Sequence, residues 1–304
     1  MSKEKNCDLE VCLGDFCDRS DLTDEEISAL REIKWNDIKK YFVVGNHESA
    51  QHELTFTTMQ AIDNGNISII NRPTGIVIEN NTYYFIPYFI DSDRPSFKEM
   101  IDDMKVESRG KKIVFSHNDI AGINYAGFIS KSGFNKEEIE SSCDLFLNGH
   151  LHNGQKISDK IYNLGSFSAH NFTNDSFNYK YGAWILDTDN MSLEFIENPF
   201  SLNFYKLNII EESDLKQLSK IKNNSVLSIR YSTHLANELE SELSKIKEKL
   251  IVTPRMMAIR ETADAAEIKI QDLRSNHLER LVTFCRQALT NSDILEAELA
   301  ELCK

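Results

Sequence analysis

The chain has 304 residues, of which 41% are apolar, enough for about two domains with cores of their own. Its formal net charge is −14 and its pI is near 5.1, which argues against a surface coated for non-specific DNA binding, because phosphate contacts come from Lys and Arg. A DNA enzyme whose positive charge is local, and partly carried by bound metal ions, is not excluded.

The cysteines and the apolar runs indicate the cellular compartment of the protein. Its six cysteines include no Cys-x-x-Cys pair, and with no secretory signal they favour reduced intracellular thiols. The longest near-continuous apolar stretch, at residues 83–90, has less than half of the about 20 residues that a membrane span needs. We therefore expect a soluble, cytoplasmic protein with no membrane contact.

Up to about residue 199, short β-branched or aromatic runs alternate with amphipathic stretches. Buried strands, each ending at a polar loop, are predicted at residues 8–13, 41–44, 113–116 and 144–148. Further strands are predicted at residues 76–79, 83–86, 161–164, 182–187 and 193–197. Because this second group follows in close succession with few helices between, we expect α/β layers whose second sheet is largely antiparallel.

Two capping boxes mark the starts of helices. Thr23 is followed three residues later by Glu26, and Ser96 by Glu99. In this pattern each side chain bonds to a free backbone N–H at the other position, which stabilises the first turn. Helices are therefore predicted to run to about residue 33 and about residue 105.

Beyond residue 199 the pattern changes. Strands at 204–210, 226–231 and 256–260 alternate with helices at 214–221 and 235–249, which predicts a small β-α-β-α-β unit. After residue 262 the chain is polar and helical, with apolar stripes from Leu278 to Leu289 and from Ile294 to Leu302. We predict three parts: residues 1–200, a small α/β domain at 201–262, and a helical tail at 263–304.

Four short motifs carry the chemistry. In chain order they are Gly14-Asp15-Phe16-Cys17-Asp18-Arg19, Gly45-Asn46-His47-Glu48, His117 and Gly149-His150-Leu151-His152. Each directly follows a predicted strand, and each taken singly could be ordinary turn chemistry. Together they are expected to place carboxylate, amide and imidazole groups at the carboxyl ends of four strands of one sheet, where loops converge on a site.

This set of side chains is typical of a two-metal hydrolase. Two divalent ions that lie close together need a shared carboxylate to reduce their repulsion, and neutral imidazole and amide ligands to keep them Lewis-acidic. Such ions activate a hydroxide and clamp the phosphate oxygens. A nearby imidazole that binds no metal can protonate the leaving oxygen.

The motifs resemble those of the calcineurin-like metallophosphoesterases, whose pattern is D-x-H, G-D-x-x-D-R, G-N-H-[ED], H and G-H-x-H. The resemblance implies a four-layer αββα sandwich and a Mn²⁺ enzyme with two ions, with Mg²⁺ or Zn²⁺ as alternatives. Carried across by motif, Asp15 bridges the metals, Asn46, His117 and His150 complete one site, His152 belongs to the other, and His47 is the catalytic imidazole. Asp18 and Arg19 match positions that tie the loops together.

One motif of that pattern is missing. No D-x-H precedes Gly14, so we expect a first strand and its following helix to be absent from the sandwich at residues 1–200. The position containing His152 then keeps only Asp15 and His152, whereas the other keeps all four protein ligands. The resemblance therefore predicts one well-ligated metal position and one incomplete position.

Over roughly residues 8–260 the chain also resembles the SbcD-type DNA nucleases, especially their tailed-phage versions. The likeness is in residues 161–166, 172–181, 196–199 and 204–206. It implies that the small α/β domain is a cap that steers DNA to the metals, and that the tail docks on the coiled coil of an SbcC-type ATPase. It leaves a homodimer open, and it implies the cytoplasm of a bacterial or phage-infected cell.

We predict metal-dependent hydrolysis of DNA phosphodiesters, in DNA repair, recombination or replication. Two alternatives remain open: another calcineurin-like phosphoesterase that acts on nucleotides or phosphoproteins, and a non-catalytic scaffold that lacks the first motif. His170 follows the Gly165-Ser166 loop and is a lesser candidate for lining the site. His52, His234 and His277 are interpreted as surface or capping residues.

Overall fold

The computed structural model describes residues 2–49, 57–125, 128–174 and 176–259. Its α-helices are α1 (Asp24–Glu32), α2 (Phe97–Asp103), α3 (Lys136–Ser142) and α4 (Ala236–Lys245). The helical tail predicted at 263–304, with both apolar stripes, lies outside the described residues, as do His52 and His277.

The strands of the described part group into a parallel sheet, a mixed sheet, two hairpins and a small C-terminal sheet. They are β1 (Leu9–Cys12), β2 (Lys39–Val43), β3 (Ile67–Ile70), β4 (Thr74–Ile78), β5 (Asn81–Ile86), β6 (Lys112–Ser116), β7 (Asn124–Tyr125), β8 (Phe128–Ile129), β9 (Leu145–Asn148), β10 (Gln155–Lys156), β11 (Ile161–Asn163), β12 (Gly182–Asp187), β13 (Ser192–Glu197), β14 (Asn203–Ile209), β15 (Ser225–Ser232) and β16 (Arg255–Ile259).

Two sheets form the centre of the molecule. The first has the order β1-β2-β3, and both of its strand pairs are parallel. The second has the order β10-β11-β9-β6-β5-β4. Its four inner strands are parallel, and only the edge strands β10 and β4 are antiparallel to their neighbours.

Alternation along the strands shows how the layers stack. In β6, Ile113 and Phe115 contribute to the cluster between the sheets, whereas Val114 belongs to the cluster under α2 and α3. In β2, Val43 also faces the other sheet, whereas Phe42 packs with residues of α1 and its neighbours. Because successive strand side chains point to opposite faces, each sheet has one face on the other sheet and one face on helices. The layers are therefore helix, sheet, sheet, helix, the αββα sandwich that the resemblance predicted.

Both capping boxes are present. Thr23 and Glu26 exchange hydrogen bonds at the start of α1, and Ser96 and Glu99 do so at the start of α2. The sequence therefore located these helix starts correctly, because a capping box is a local interaction that needs no tertiary contact.

The prediction that the second sheet is largely antiparallel is wrong. Strands β5 and β11, which were assigned to it, are parallel to β6 and β9 and lie inside the mixed sheet. Of the strands assigned to it, only β12 and β13 form an antiparallel pair of their own. The misreading arose because β4 and β10 are joined to β5 and β11 by short turns, and these neighbouring pairs are antiparallel. The other neighbours of β5 and β11 are distant in sequence and parallel, so the spacing of strands along the chain does not show how they pair.

The small C-terminal sheet has the order β14-β15-β16, and β14 is parallel to β15. Its core includes Leu207, Leu227, Ile229 and Leu239. The predicted helix at 214–221 is a 3-10 helix at Glu212–Lys220, and the helix predicted to reach residue 249 ends at Lys245 and is followed by a 3-10 turn.

Contacts divide the chain into two compact units, Met1–Met257 and Ala258–Lys304. The sandwich and β14, β15 and α4 all belong to the first. The domain boundaries expected near residues 200 and 262 stay predictions. No helix in the described ranges is long and apolar enough to cross a membrane.

Candidate metal centre

The four motifs meet where the two sheets face each other. They follow β1 and β2 of the parallel sheet and β6 and β9 of the mixed sheet, so the expectation that all four strands share one sheet is wrong. The sheets are joined directly at this point, since Nδ1 of His117 lies 2.5 Å from the carbonyl oxygen of Leu13. Stacked sheets lie about 10 Å apart, so side chains and loops at their carboxyl edges can reach across and meet.

Asp15, His117 and His150 form one compact cluster. Each offers a ligand atom, and all three atoms lie within 4.8 Å of one another. Nε2 of His117 lies 3.1 Å from Oδ2 of Asp15 and 3.1 Å from Oδ1 of Asn46. The structure therefore brings together the four side chains that were predicted to hold one metal.

The tautomer of His117 favours a cation at the centre of this cluster. The Leu13 carbonyl can only accept a hydrogen bond, so Nδ1 of His117 donates to it. In the neutral ring Nε2 then presents a lone pair toward the oxygens of Asp15 and Asn46. Lone pairs that converge in this way repel one another unless a positive ion lies between them, and nitrogen with oxygen is the donor set of Zn²⁺ and Mn²⁺.

His150 supports the same conclusion. Its Nε2 lies 3.5 Å from Oδ1 of Asp119, while its Nδ1 is buried and has no hydrogen-bond partner among the described residues. A histidine that binds a metal commonly gives its second nitrogen to a carboxylate, which orients the ring. The unpaired Nδ1 thus fits a metal ligand, with Asp119 as the residue that orients it.

Glycines allow the loops to approach this closely. Gly14 has φ +92°, and a Cβ at this position would overlap the ring of His117. A Cβ on Gly45 would overlap the carboxylate of Asp15. Any other residue at either position would push a ligand out of the cluster.

Glu48 holds the first two motif loops together. Its side chain is buried, and its carboxylate accepts hydrogen bonds from the backbone N–H groups of Asp15, Cys17 and Gly45 at 2.9, 2.9 and 2.7 Å. Burial raises the pKa of Glu48, although the bonds from Cys17 and Gly45 oppose the rise. The sequence pattern contained this residue but gave it no role, since its partners are backbone groups on a distant loop.

Three buried asparagines hold the other two loops. Asn118 and Asn148 exchange backbone-to-side-chain bonds of 3.0 and 2.9 Å, and Asn148 also donates to Asn163. Asn163 accepts from the backbone N–H of Leu151 and donates to its carbonyl, which fixes the segment between His150 and His152. An asparagine at or just beyond the end of an apolar strand was the available signal, and sequence reasoning passed over it.

His47 lies beside the cluster and is partly exposed. Its Nδ1 is 2.9 Å from the carbonyl oxygen of Asp18, and its Nε2 is 4.0 Å from Oδ2 of Asp15. Burial lowers the pKa of His47, but the Asp18 carbonyl and the Asp15 carboxylate outweigh it and raise the pKa above its ordinary value. The ring therefore holds a proton more strongly than a free imidazole does, and it lines the groove, which suits a general acid.

Asp18 and Arg19 differ in their distance from the site. Asp18 contacts His47 through its carbonyl, and its carboxylate is 3.6 Å from the same ring. Arg19 points instead to the start of α1, where it pairs with Glu26 at 2.6 Å and donates to the carbonyl of Asp21. The link between the motif loops that was expected of Arg19 is made by Glu48.

His152 lies outside the compact cluster, in a groove of about 870 Å³. The groove is also lined by Asp15, His47, His170 and Trp184. The rings of His152 and His170 meet edge to face with centroids 4.3 Å apart. Burial first, and the proximity of His170 second, lower the pKa of His152 to about 4, so its ring is neutral at pH 7.

The charge of Asp15 is well stabilised. Burial alone would raise the pKa of its carboxyl group, but the contact with the His117 side chain and the hydrogen bond from the backbone N–H of His47 lower that pKa to about 2. The pKa of Asp119 is also lowered, since the hydrogen bond and charge of His150 outweigh its burial. Both carboxylates are therefore ionised at any pH at which the imidazoles could bind a metal.

The αββα fold and this group of ligands define a metal-dependent hydrolase. The sequence profile of the calcineurin-like phosphoesterases matches residues 1–154, and the chain belongs to this family. It is 22% identical over 287 residues to exonuclease subunit 1 of Enterobacteria phage T4, covering 90% of this chain and 80% of that protein. It is 24% identical over 179 residues to 078R of Invertebrate iridescent virus 3, whose name describes a phosphoesterase, covering 54% of this chain and 49% of the viral protein. The chain thus spans about half the length of the latter relative.

Proposed function

We propose that this chain is a metal-dependent DNA phosphodiesterase, with Mn²⁺ as its preferred ion and with Asp15, Asn46, His117 and His150 as the ligands of the better-formed position. The observation that carries the proposal is the convergence of these four acceptor groups, with a buried and unpaired Nδ1 on His150. A bound divalent ion supplies a Lewis acid that polarises the phosphate and activates water.

The protein groups have separate tasks in this reaction. Asp15 stays ionised and is oriented by the backbone N–H of His47 at 3.0 Å. The ring of His47 lines the groove and is held by the Asp18 carbonyl, and it donates a proton to the leaving oxygen. Asp15 and His47 both line the groove of about 870 Å³ beside the cluster, so a substrate in the groove can meet both side chains.

DNA is favoured as the substrate by the likeness to a phage exonuclease subunit, which extends over 90% of the chain and therefore reaches beyond the sandwich. The acidic balance of the chain means that attraction to DNA depends on the metal position more than on the general surface. We also propose the roles in DNA repair, recombination or replication, the cytoplasmic location, the cap role of the α/β unit at 201–262 and an SbcC-type ATPase as partner.

The experiment compares three substrates with the full chain and Mn²⁺: labelled duplex DNA, labelled single-stranded DNA and a small chromogenic phosphodiester. We expect Mn²⁺-dependent cleavage of DNA that is lost in His117→Ala and kept in His234→Ala, an exposed histidine outside the groove. Hydrolysis of the small diester without cleavage of either DNA would instead favour a phosphoesterase for nucleotides or phosphoproteins.

The non-catalytic scaffold that stands as an alternative makes a different prediction. A scaffold binds its partner but hydrolyses none of the three substrates, with or without Mn²⁺. To separate the two, the same preparation is tested for capture of an SbcC-type coiled coil. Capture together with complete inactivity would contradict the enzymatic proposal.

A further inference from the structure

Two phenylalanines near the groove are exposed to solvent. Phe167 is 60% exposed and Phe200 is 83% exposed. Phenylalanine is among the residue types that are most often fully buried, so two such exposed rings need an explanation. Phe167 also lines the groove together with Asp15 and His47. It therefore lies where a substrate that reaches the proposed catalytic groups would pass.

A single side-chain amide joins the backbones of these two residues. The Nδ2 group of Asn198 donates to the carbonyl oxygen of Phe167 at 3.1 Å, and its Oδ1 accepts from the backbone N–H of Phe200 at 3.0 Å. A second link runs beside it, since the hydroxyl oxygen of Ser168 accepts from the backbone N–H of Leu202 at 3.0 Å. The two loops are thus joined before any ligand arrives, which lowers the entropy cost of binding one.

The same turn carries a local positive charge. Glu197 forms ion pairs with Lys180 at 3.1 Å and with Lys222 at 3.0 Å, so two ammonium groups share one carboxylate. The cluster has a net charge of +1 in a chain whose net charge is −14. Glu197 and Lys222 line a cavity of about 200 Å³ together with Asn198, which bonds to both phenylalanine backbones. Exposed rings and a local excess of positive charge therefore occur on one part of the surface.

We propose that Phe167 and Phe200 stack on unpaired bases of a DNA strand whose phosphate lies at the metal centre, while Lys180 and Lys222 attract its phosphates. The inference rests on the proposed function, which names DNA as the substrate. Aromatic rings beside cationic groups bind single strands of any sequence, because every base has a π face. Bases inside a duplex already stack on their neighbours. This surface therefore selects a strand that is single or frayed next to the metal centre.

The competing explanation is that another protein surface covers the two rings. The two explanations differ in what they require of the side chain. A protein surface can bury any apolar group of similar size, whereas stacking on a base needs an aromatic ring. The lysine pair favours a polyanion over an apolar protein surface, because a neighbouring positive charge adds to the binding of phosphates.

The test measures binding of a single-stranded oligonucleotide that carries an aminopurine base, whose fluorescence falls when it stacks. The full chain is used with a chelator, so that no cleavage occurs. Phe167→Ala and Phe200→Ala should each weaken binding about 5–150-fold, the usual effect of losing one stacking ring. Phe200→Tyr should bind normally, whereas Phe200→Leu should bind as weakly as Phe200→Ala. Ile129→Ala, which removes another apolar side chain that is 66% exposed, should bind normally.

A second measurement separates this inference from the proposed function. Hydrolysis of the small chromogenic diester with Mn²⁺ should be unchanged in Phe200→Ala, because that substrate has no bases. Normal oligonucleotide binding in both alanine variants would overturn the inference, and so would normal binding by Phe200→Leu. If the unaltered protein hydrolysed the diester but bound no single strand, the stacking surface would be refuted and the metal centre would stand. Fluorescence loss that depends on Phe200, without hydrolysis of any substrate, would support the stacking surface and refute the proposed enzyme.

Discussion

The compact cluster and the groove beside it hold their imidazoles in different ways. In the cluster, three proposed ligands are each oriented by another group: His117 by the Leu13 carbonyl, His150 by Asp119, and Asp15 by a backbone N–H. In the groove, His152 and His170 contact each other, and the described residues give their rings no hydrogen bond. The difference teaches that ligand identity alone does not make a metal site, because affinity also depends on the groups that hold each ligand in place.

The largest expected effect concerns catalysis rather than binding. His47 lies beside the well-supported cluster without belonging to it, so His47→Ala should lower DNA cleavage by about 10²–10⁴-fold, the usual cost of losing a positioned acid. Mn²⁺ binding at the compact cluster should remain, and His234→Ala should be fully active. Steady-state cleavage and Mn²⁺ titration on the same samples check this, and loss of Mn²⁺ binding in His47→Ala would show that His47 is a ligand.

A smaller effect is expected where the supporting groups are changed. Glu48→Gln replaces one carboxylate oxygen, which accepts a hydrogen bond, by an amide NH₂ group that faces a backbone N–H. The loss of this buried hydrogen bond should reduce the free energy of unfolding by about 1–3 kcal/mol. Chemical denaturation of the metal-free protein measures this change, with the exposed Glu32→Gln as the matched control. Equal stability of the two variants would mean that Glu48 does not hold the motif loops together.

The contrast between the cluster and the groove histidines is sharpened by changing Asp119. Asp119→Asn removes the charge beside His150 and should weaken Mn²⁺ binding about 10–100-fold. Titration of the metal-free protein with Mn²⁺ measures this change. Asp103→Asn, on the exposed end of α2, serves as the control. An unchanged Mn²⁺ affinity in Asp119→Asn would mean that Asp119 does not orient a metal ligand.

The smallest effect is a dependence of stability on pH. The pKa of Asp15 is about 2 in the folded chain against an ordinary 3.8, so its ionised form stabilises the fold above about pH 4. This contribution, on the order of 2 kcal/mol, is lost as the pH falls through about 2. Without metal, the stability difference between the unaltered protein and Asp15→Asn should therefore shrink between pH 5 and pH 2. A difference that stays constant would mean that His117 does not stabilise the charge.

Strand ends and helix starts could be predicted from the sequence because they depend on neighbours in the chain. Thr23 with Glu26 predicted the start of α1, and the buried runs located β6 and β9 to within one residue. The proposed ligands Asp15 and His117 could be predicted for a related reason, because each lies within three residues of the end of a strand and belongs to a short motif. The proximity of Asp15 to His117 then followed from the resemblance.

The supporting groups could not be predicted in this way. Glu48 and Asn148 act on backbone groups that are 31 or 33 and 30 residues away, and no local pattern shows such partners. The meeting of His152 with His170 depends on a turn that Asn174 closes, which is equally invisible in the sequence. Whether the strands belonged to one sheet or two was also decided by long-range pairing.

By itself, then, the sequence determined which residue types stand at the ends of the strands, because hydrophobic alternation and turn chemistry are local properties. Only the tertiary structure decided that these ends come from two sheets packed face to face, with the Leu13 carbonyl against His117. Only the tertiary structure left one nitrogen of His150 buried and unpaired, and brought His170 next to His152. The physical reason is that each of these contacts is made by packing between segments that are far apart in the chain.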